Sequence, residues 1–336
     1  MNGVGICAVV PVWNGRALLE RLLLSLERQT RPAAELLVVD NGSTDGAPEL
    51  ALARGARVIA MGRNAGFAAA VNRGIRESRG QWIAVLNSDV ELAPDYFEAL
   101  LGAAEKEKDA WFATGKLLAA GSRDRIDGTW DAISRGGAVW RVGHGRPDGA
   151  SFSSPRRIDL APWTAALFRA ALFERVGLLE ASFESYLEDV DFGLRCATRG
   201  LAGVYVPEAV AWHRGSAALG RWHPETVRLI ARNQLLLLAR HYPGRLVVRW
   251  LWPILVAQLL WFGVALRHRA GCAWLRGKWQ GVRTWRAARM AWEKPDVKVL
   301  YDLVLTNERL IREAQTATSF DLYWRLYFLL TGGGAK

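Results

Sequence analysis

Acidic and amide side chains stand directly after two apolar segments of this 336-residue chain. Asp40 follows the apolar residues 36–39, and Asn87, Ser88 and Asp89 follow residues 82–86. Taken singly, each of these residues fits an ordinary turn, where short polar side chains bond to the nearby backbone. Together they predict a binding site, because the ligands of an open parallel sheet bind at the carboxyl ends of its strands.

Oxygen atoms at these strand ends would suit a divalent cation and the phosphates that it holds. The sequence has no Gly-x-x-x-x-Gly-Lys-Ser/Thr loop, and no Gly-x-Gly-x-x-Gly follows a predicted strand, so the common glycine loops for phosphate are missing. If a nucleoside diphosphate binds, carboxylates with Mg²⁺ or Mn²⁺ must hold it, and Asp89 suits that role. His213, at the end of a strand-like segment, is either a structural histidine or a further metal ligand.

Three acids crowd into four residues at Glu188, Asp189 and Asp191. If a helix begins here, Glu188 and Asp191 share one face at the i, i+3 spacing, and Asp189 points elsewhere. Crowding near Glu188 would raise the pKa of one carboxylate and make it more basic, which suits a general base. The alternative is a structural role, since acids in the first turn of a helix complement its dipole.

Alternating apolar segments of two kinds must position these side chains. Short continuous segments predict buried strands, and segments with apolar residues at helical spacing predict helices between them. This alternation predicts an α/β fold with a mostly parallel sheet and right-handed crossovers. The predicted strands are 6–12, 36–39, 57–61, 82–86, 111–118, 204–206 and 209–212; the predicted helices are 17–29, 48–54, 67–78, 94–106, 167–176 and 188–199; residues 121–155 are predicted to form loops.

The composition excludes several classes of protein. With 51% hydrophobic and 23% charged residues, the chain is not intrinsically disordered. Its three cysteines, Cys7, Cys196 and Cys272, exclude a disulfide scaffold and lack the paired spacing of a zinc site. This cysteine usage leads us to expect a reducing compartment. We also expect no secretory signal peptide, since the first ten residues have no basic segment of the kind that opens one.

Five ordered motifs, spread over residues 5 to about 240, resemble those of glycosyltransferase family 2. The likeness is nearest to the rhamnosyltransferase-like branch, which extends bacterial cell-surface polysaccharides. The motifs are Pro11-Val12-Trp13-Asn14, the segment Val38-Val39-Asp40-Asn41-Gly42-Ser43-Thr44-Asp45-Gly46, the segment Asn64-Ala65-Gly66-Phe67-Ala68-Ala69-Ala70-Val71-Asn72-Arg73-Gly74, Leu86-Asn87-Ser88-Asp89-Val90 as an Asn-x-Asp form of the Asp-x-Asp element, and a Glu-Asp motif in Tyr186-Leu187-Glu188-Asp189-Val190-Asp191-Phe192-Gly193-Leu194-Arg195.

The resemblance implies a GT-A-type nucleotide-diphospho-sugar transferase fold and an inverting mechanism. It implies that Asp40 contacts the nucleobase beside the backbone of Pro11 and Val12, and that Asn87 lies near the ribose and the diphosphate. Asp89 and His213 would hold Mg²⁺ or Mn²⁺, and Asp189, next to Glu188, would be the base that deprotonates the acceptor hydroxyl. The remaining donor-side residues would be Asn14, Asn64 and Ser88.

The acceptor side departs from the family pattern at two places. Trp163-Thr164-Ala165-Ala166 stands where a small glycine is usual, and Gly177-Leu178-Leu179-Glu180 replaces the usual Gly-Phe-Asp-Glu. The resemblance still places Trp163, Thr164 and Asp191 on the acceptor side. Both departures bear on acceptor geometry rather than on the chemistry.

The net charge of +11 is unevenly distributed along the chain. Residues 1–240 carry 29 Lys and Arg against 27 Asp and Glu, whereas residues 241–336 carry 15 against 6, and seven of the sixteen Trp fall between positions 250 and 292. We therefore predict a catalytic domain over 1–240, with a donor half to about 110 and an acceptor half after it. Residues 241–336 would form a basic, Trp-rich helical appendage.

The appendage is predicted to associate with an anionic membrane. Residues 250–266 have no charge, but as a helix they would span only ~25 Å of the ~30 Å hydrocarbon core. With arginines on both flanks, a helix lying in the membrane interface is favoured over a full span, a hairpin or a buried core helix. In residues 267–292, Trp274, Trp285 and Trp292 would share a face for the headgroups, or else would pack inward on the protein.

The sequence thus predicts an inverting glycosyltransferase at the cytoplasmic face of the bacterial inner membrane. It would move a sugar, taken as L-rhamnose from the branch resembled, from a nucleoside-diphosphate donor to a lipid-linked or polysaccharide acceptor. One alternative is a nucleic-acid-binding module that uses the Arg/Trp segment, although such a module needs no acids at strand ends. The other is an inactive sugar-nucleotide binder.

Overall fold

The computed structural model describes residues 5–215, 220 and 222–332. Strands and helices alternate up to about residue 106, as predicted, and helices follow one another after residue 223. The strands are β1 Ile6–Val12, β2 Glu35–Asp40, β3 Arg57–Ala60, β4 Trp82–Leu86, β5 Val90–Leu92, β6 Ala110–Ala119, β7 Ser122–Gly128, β8 Asp131–Ile133, β9 Val139–Arg141, β10 Arg156–Ile158, β11 Ala165–Arg169 and β12 Ala202–His213. The helices are α1 Arg16–Glu27, α2 Ala47–Ala53, α3 Phe67–Glu77, α4 Tyr96–Lys106, α5 Ala170–Val176, α6 Glu188–Ala197, α7 Pro224–His241, α8 Gly244–Arg249, α9 Leu251–Arg267, α10 Gly271–Met290, α11 Val297–Thr318 and α12 Leu322–Thr331.

The main sheet is mixed, with a parallel half that contains the sequence motifs. Its order is β10-β12-β6-β11-β4-β1-β2-β3, with β5 paired to β12 and β7 paired to β6. β1 runs parallel to both β2 and β4, and Val12 is in register with Asp40. The carboxyl ends of β1, β2 and β4 therefore meet at one edge, where the polar side chains were predicted.

Two secondary-structure predictions were wrong. Residues 121–155 contain β7, β8 and β9 rather than loops alone, because β7 pairs with β6 and β8 with β9. Residues 167–176 are not one helix, since Ala165–Arg169 is an antiparallel strand between β4 and β6 and the helix begins at Ala170. A short apolar segment reads equally well as a strand or a helix until its neighbours in the sheet are known.

The chain divides into two compact units at places other than residue 240. Unit 1 is Met1–Trp130, Gly143–Cys196 and Gly200–Ala218, and unit 2 is Asp131–Val142, Ala197–Arg199 and Leu219–Lys336. Unit 2 therefore holds α7, which the charge pattern had assigned to the catalytic domain. None of the helices in the described parts of the chain is both long and apolar enough to cross a membrane.

In unit 2, a hairpin made of β8 and β9 lies among the helices. The Arg135 backbone N–H and Nε donate to the two carboxylate oxygens of Glu308 at 2.7 and 2.8 Å. The Tyr327 hydroxyl donates to Glu308 at 3.1 Å and accepts the Gly136 N–H at 3.0 Å. These charge-assisted bonds connect the hairpin turn to α11 and α12.

The Trp stripe predicted on α10 faces the protein. Trp274 is half-buried and packs on Phe262 with ring centroids 4.7 Å apart, and the guanidinium groups of Arg199 and Arg240 lie 5.3 and 5.5 Å from the Trp292 ring. Lys278, which stands four residues after Trp274 and therefore on a neighbouring part of the same helix face, also points inward. Its ammonium donates to the Ala231 carbonyl at 2.8 Å, and burial lowers its pKa to about 7.

Close backbone packing of α7 and α10 explains why α7 belongs to unit 2. Gly277 and Gly281 lie one turn apart on α10 and face α7. A Cβ on Gly277 would lie 2.2 Å from the Arg228 carbonyl oxygen, and one on Gly281 would lie 3.0 Å from the Leu235 Cβ. The helices can therefore approach this closely only because these two residues have no side chain.

We predict that Gly277→Ala destabilises the protein. Overpacking against the α7 backbone costs about 1–3 kcal/mol or more, which exceeds the gain of about 1 kcal/mol from replacing a helical glycine. Thermal unfolding should show a Tm several degrees below that of the wild type. The matched control is Gly263→Ala on α9, where a Cβ meets nothing within 4 Å and the Tm should stay equal or rise. Equal Tm values for the two variants would contradict this account of the packing.

Candidate active site

The loops after β1 and β2 are bonded to each other at the carboxyl edge of the sheet. The Asn14 N–H donates to the Ser43 hydroxyl at 2.9 Å, and the Thr44 N–H donates to the Asn14 side chain at 3.0 Å. Asp40 is buried next to Pro11 and Val12, and its Oδ1 accepts the Ser43 N–H at 2.9 Å. The predicted donor-side residues 11, 12, 14 and 40 therefore lie next to one another at the ends of β1 and β2.

Asp45, in the second loop, caps the start of α1. Its Oδ2 accepts the backbone N–H groups of Gly15 and Arg16 at 2.6 and 2.8 Å. Slight burial opposes ionisation, but backbone hydrogen bonds, chiefly from Arg16 and Ala47, outweigh it and hold the pKa of Asp45 below its usual value. Asp45 therefore serves as a cap for the N-terminus of α1.

Asn64 and Asn41 build the loop that precedes α3. The Asn41 amide donates to the Asn64 Oδ1 at 3.0 Å and to the Gly66 carbonyl at 3.2 Å, and its Oδ1 accepts the Ala65 N–H at 2.9 Å. Asn64 Oδ1 also accepts the Gly66 N–H at 3.0 Å. The exposed Asn64 thus shapes a loop that is bonded to the end of β2.

Asn87 and Ser88 occupy the turn after β4. The Asn87 N–H donates to the Thr164 carbonyl at 2.8 Å, which brings the segment before β11 to the end of β4. The Asn87 Oδ1 atom is buried and accepts no hydrogen bond from the described residues. A buried acceptor of this kind fits a ligand that supplies a hydroxyl or amine donor. Ser88 is half-buried beside it.

Asp89 and His213 are in direct contact. β5 and β12 are antiparallel with Val90 opposite His213, and the His213 Nε2 lies 3.2 Å from the Asp89 Oδ1. The His213 Nδ1 lies 2.7 Å from the Oδ2 of Asp127, on β7. Burial opposes the charge on the ring, but the hydrogen bonds to Asp127 and Asp89 outweigh it and raise the pKa of His213 to about 9.

Asp127 is a site residue that the sequence reasoning missed. It falls in the Gly-, Arg- and Ser-rich segment that was predicted to form loops, and no local motif distinguishes it. The pairing of β7 with β6 brings it beside His213. Within the described residues, no group of three or more His, Cys, Asp or Glu side chains is arranged as a complete metal site.

Among the three acids at the start of α6, Asp189 is the one that reaches solvent. Glu188 and Asp191 are buried on the opposite face, as the i, i+3 spacing predicted. The Asp191 carboxylate accepts the Arg195 Nε at 3.0 Å, and Arg195 also donates to the Val176 and Leu178 carbonyls. Asp191 therefore helps to connect α6 to the end of α5.

Trp163 and Thr164, predicted on the acceptor side, are also buried. The Trp163 ring packs against Phe168 and Phe192 with centroids 4.5 and 4.9 Å apart, within an aromatic cluster. Thr164 meets the site through its carbonyl, which accepts the Asn87 N–H. In this structure, Trp163, Thr164 and Asp191 support their neighbours from within the fold.

The segment before α6 has a strained backbone. Glu184, at φ 62° and ψ −70°, is the centre of a classic γ-turn closed by a 2.7 Å bond from the Ser185 N–H to the Phe183 carbonyl. Tyr186 and Leu187 also have positive φ values, 71° and 67°. Such conformations cost of order 1–3 kcal/mol each and persist only where neighbours hold them.

The N-terminus of α3 holds this strained segment. The Ala68 N–H donates to the Glu184 carbonyl at 3.0 Å, and the Phe67 N–H donates to the Ser185 hydroxyl at 3.3 Å. Gly66, at φ 87°, lies so close that a Cβ would come within 2.8 Å of the Glu184 carbonyl oxygen. The loop at 64–66 and the segment that leads to Asp189 are therefore in direct contact.

We predict that Gly66→Ala displaces the γ-turn at Glu184. The new Cβ would clash with the Glu184 carbonyl, so the bond from the Ala68 N–H should break, and hydrogen exchange at Ala68 should accelerate at least tenfold. Gly62→Ala is the matched control, because Gly62 also has a positive φ, 73°, but its Cβ would meet nothing within 4 Å. If Ala68 exchanges equally in both variants, Gly66 does not hold the turn.

Residues 7–177 match the sequence profile of Glycosyl transferase family 2. An N-acetylglucosaminyl-diphospho-decaprenol L-rhamnosyltransferase of Mycobacterium tuberculosis is 31% identical over 258 residues, which are 69% of this chain and 84% of the relative.

Two solved structures show the same fold. The crystal structure of GalNAc-T7 with UDP, GalNAc and Mn²⁺ aligns with a TM-score of 0.60 at 15% identity. The alignment covers 77% of this chain and 51% of the GalNAc-T7 chain. The mannosyltransferase PcManGT of Pyrobaculum calidifontis, in complex with GDP-Man and Mn²⁺, aligns with a TM-score of 0.50 at 16% identity. The alignment covers 96% of this chain and 86% of the mannosyltransferase. The fold is thus the α/β GT-A type predicted. From its sequence profile and its Mycobacterium tuberculosis relative, this chain belongs to glycosyltransferase family 2.

Proposed function

We propose that this glycosyltransferase moves a sugar, with inversion, from a nucleoside-diphosphate donor to a lipid-linked acceptor. The observation that carries the proposal is the meeting of Asp40, Asn87 and the Asp89–His213 pair at the carboxyl edge of one sheet. A second support is Asp189, an acid that reaches solvent and is held by a strained segment.

The donor nucleotide would lie along the ends of β1, β2 and β4. Asp40 would accept a hydrogen bond from the nucleobase with its Oδ2, since its Oδ1 already accepts the Ser43 N–H. The ribose would supply the hydroxyl donor that suits the buried Asn87 Oδ1. Pro11, Val12, Asn14 and Asn64 would shape the wall of this pocket, and Ser88 would border the phosphates.

The residues at the start of β5 and the end of β12 fit a divalent cation by their chemistry. Asp89 offers carboxylate oxygens, and His213 would offer an imidazole nitrogen once a cation displaces its Nε2 proton, a donor set that Mn²⁺ accepts and that Mg²⁺ accepts in part. Asp127 would hold the other ring nitrogen of His213, as carboxylates commonly do for metal-bound histidines. Such an ion, when bound, neutralises negative charge that develops on the leaving diphosphate.

Asp189 would act as the general base. Its carboxylate would take the proton of the acceptor hydroxyl while that oxygen attacks the anomeric carbon from the face opposite the diphosphate. The bond from the anomeric carbon to the diphosphate oxygen breaks in the same displacement, which inverts the configuration. Glu188, Asp191, Trp163 and Thr164 would act from within the fold by fixing the position of Asp189 and of the Asn87 turn.

The sugar and acceptor in the proposal are L-rhamnose and a saccharide on a lipid diphosphate. The support is the mycobacterial relative, whose name states both, together with its 31% identity. Because such an acceptor lies in a bilayer and nucleotide sugars are made in the cytoplasm, the enzyme would work at the cytoplasmic face of the inner membrane.

We predict that Asp189→Asn abolishes transfer while donor binding survives. Removal of a general base typically costs 10²–10⁴-fold in rate, and the proposal assigns the donor nucleotide to other side chains, Asp40 and Asn87. Transfer is measured with a lipid-linked acceptor, and donor affinity by calorimetry with Mn²⁺. Glu174→Gln, an equivalent change on the exposed side of α5, is the matched control and should behave like the wild type. Turnover at the wild-type rate in Asp189→Asn would remove Asp189 from the role of base.

We predict that Asp127→Asn weakens metal binding by about 10–100-fold, because His213 loses the carboxylate that orients its ring. Mn²⁺ affinity in the presence of nucleoside diphosphate, measured by electron paramagnetic resonance, reports this without turnover. Asp124→Asn, an exposed acid on the same strand, should leave the affinity unchanged. If Asp127→Asn binds Mn²⁺ as the wild type does, Asp127 does not position His213 for a metal.

A further inference from the structure

Helix α9 is apolar on the face that it turns away from the protein. One flank packs into unit 2 through Pro253, Ile254, Val256, Ala257 and Ala265. The opposite flank carries Leu251, Trp252, Leu255, Leu259 and Leu266, whose side chains are between 45% and 63% exposed. A helix on the surface of a protein in water normally presents polar residues on its outer face. Between residues 250 and 266, α9 has no charged residue to place there.

The exposed apolar area extends onto α12. The Trp252 Nε1 donates to the Leu330 carbonyl at 2.9 Å, and the Tyr323 hydroxyl donates to the Ala257 carbonyl at 3.1 Å, so the two helices lie side by side. On α12, Leu322, Leu329 and Leu330 are exposed. We call the exposed apolar residues of α9 and α12 the apolar face. Exposed apolar side chains that two adjacent helices contribute to one continuous surface are typical of an interaction or membrane-binding site rather than of ordinary surface.

The apolar face continues to the start of α10 through a surface pocket of about 260 Å³. Phe262 and Leu266 line it from α9, and Cys272 and Leu275 line it from α10. Arg269 lies at the same pocket and is exposed. A cationic group at the rim of an apolar pocket fits a molecule that has a hydrocarbon part and an anionic part.

Arginines border the apolar face at both ends of α9. Arg245 and Arg249 precede the helix, Arg267 and Arg269 follow it, and all four are exposed. Residues 245–294 carry ten Lys and Arg against one acid, Glu293. An excess of cationic groups beside exposed apolar side chains complements the anionic headgroups of a bilayer.

We propose that the apolar face and its arginine rim bind the surface of an anionic bilayer, with α9 lying in the plane of the interface. The helix is ~25 Å long, less than the ~30 Å of a hydrocarbon core, so it fits shallow insertion rather than crossing. The inference deepens the proposed function, on whose lipid-linked acceptor its purpose rests. Docking would keep the enzyme where that acceptor is concentrated.

Vesicle flotation with the purified full chain, in the absence of donor and acceptor, tests the proposal. The wild type should float with phosphatidylcholine vesicles that contain phosphatidylglycerol, and should float much less with phosphatidylcholine alone. Leu255→Ser combined with Leu259→Ser should lower partitioning about tenfold or more, because both side chains leave water on insertion. The matched control is Leu52→Ser on α2, where the leucine is equally exposed at 59% but lies in unit 1. It should float like the wild type.

The arginine rim is tested separately. Arg267→Gln combined with Arg269→Gln should lower partitioning to anionic vesicles severalfold at low salt, and added salt should reduce the difference. Arg28→Gln, an exposed arginine in unit 1, is the control. Wild-type flotation by the apolar-face variant, or no flotation of the wild type with anionic vesicles, overturns the proposal. A wild-type dimer in light scattering that the Leu255→Ser/Leu259→Ser change dissociates, without vesicle binding, would identify the face as an interface between two copies instead.

These outcomes are independent of the chemistry. With a short water-soluble acceptor, the apolar-face variant should release nucleoside diphosphate at the wild-type rate, since none of its changes is in the site. If the wild type binds vesicles but transfers no sugar with any donor, the proposed function fails and the docking surface stands. If the wild type transfers sugar but does not bind vesicles, the proposed docking surface fails and the proposed function stands.

Discussion

The position of His213 between two carboxylates is the constraint on which the candidate site depends. The imidazole meets Asp89 on one side and Asp127 on the other, and it is itself buried. A buried polar ring needs a partner at each nitrogen, so the start of β5 and the ends of β7 and β12 must lie at the same place. Strand β12 brings both carboxylates to His213. It pairs antiparallel with β5, which follows Asp89, and parallel with β6, to which the Asp127 strand β7 is paired.

A second contact joins the two halves of the site. Gly66 ends a loop that Asn41 connects to the end of β2, and Ala68 lies in the first turn of α3; both contact the strained turn at Glu184. That turn is followed at once by the residues that begin α6 and by Asp189. The position of the proposed base is thus determined by the same hydrogen-bonded loops that border the proposed donor pocket. A glycine is required at 66 because the approach of the Glu184 carbonyl leaves no room for a Cβ.

The parallel half of the sheet was predictable, because its buried strands are continuous apolar segments and its polar residues cluster at their ends. The contacts that complete the site were not predictable from spacing. Asp127 lies in a segment without periodicity, and only the pairing of β7 with β6 brings it to His213. The burial of Trp163 and Asp191, which the family resemblance places on the acceptor side, was likewise not predictable from spacing. Burial is a property of neighbours that are distant in sequence.

Which surface the basic residues of unit 2 border depends on how its helices pack. On α10, the Trp stripe that spacing suggested for lipid packs inward, and Lys278 points inward with it. On α9, no spacing argument could choose a face, since the helix is apolar all round; packing takes one flank and leaves the other exposed beside arginines. Four of the arginines in this basic excess therefore border an apolar surface. In the proposed docking, cation attraction to phosphate and burial of hydrocarbon would act at one surface of unit 2, and the near-neutral composition of residues 1–240 would leave the proposed chemistry to individually placed acids.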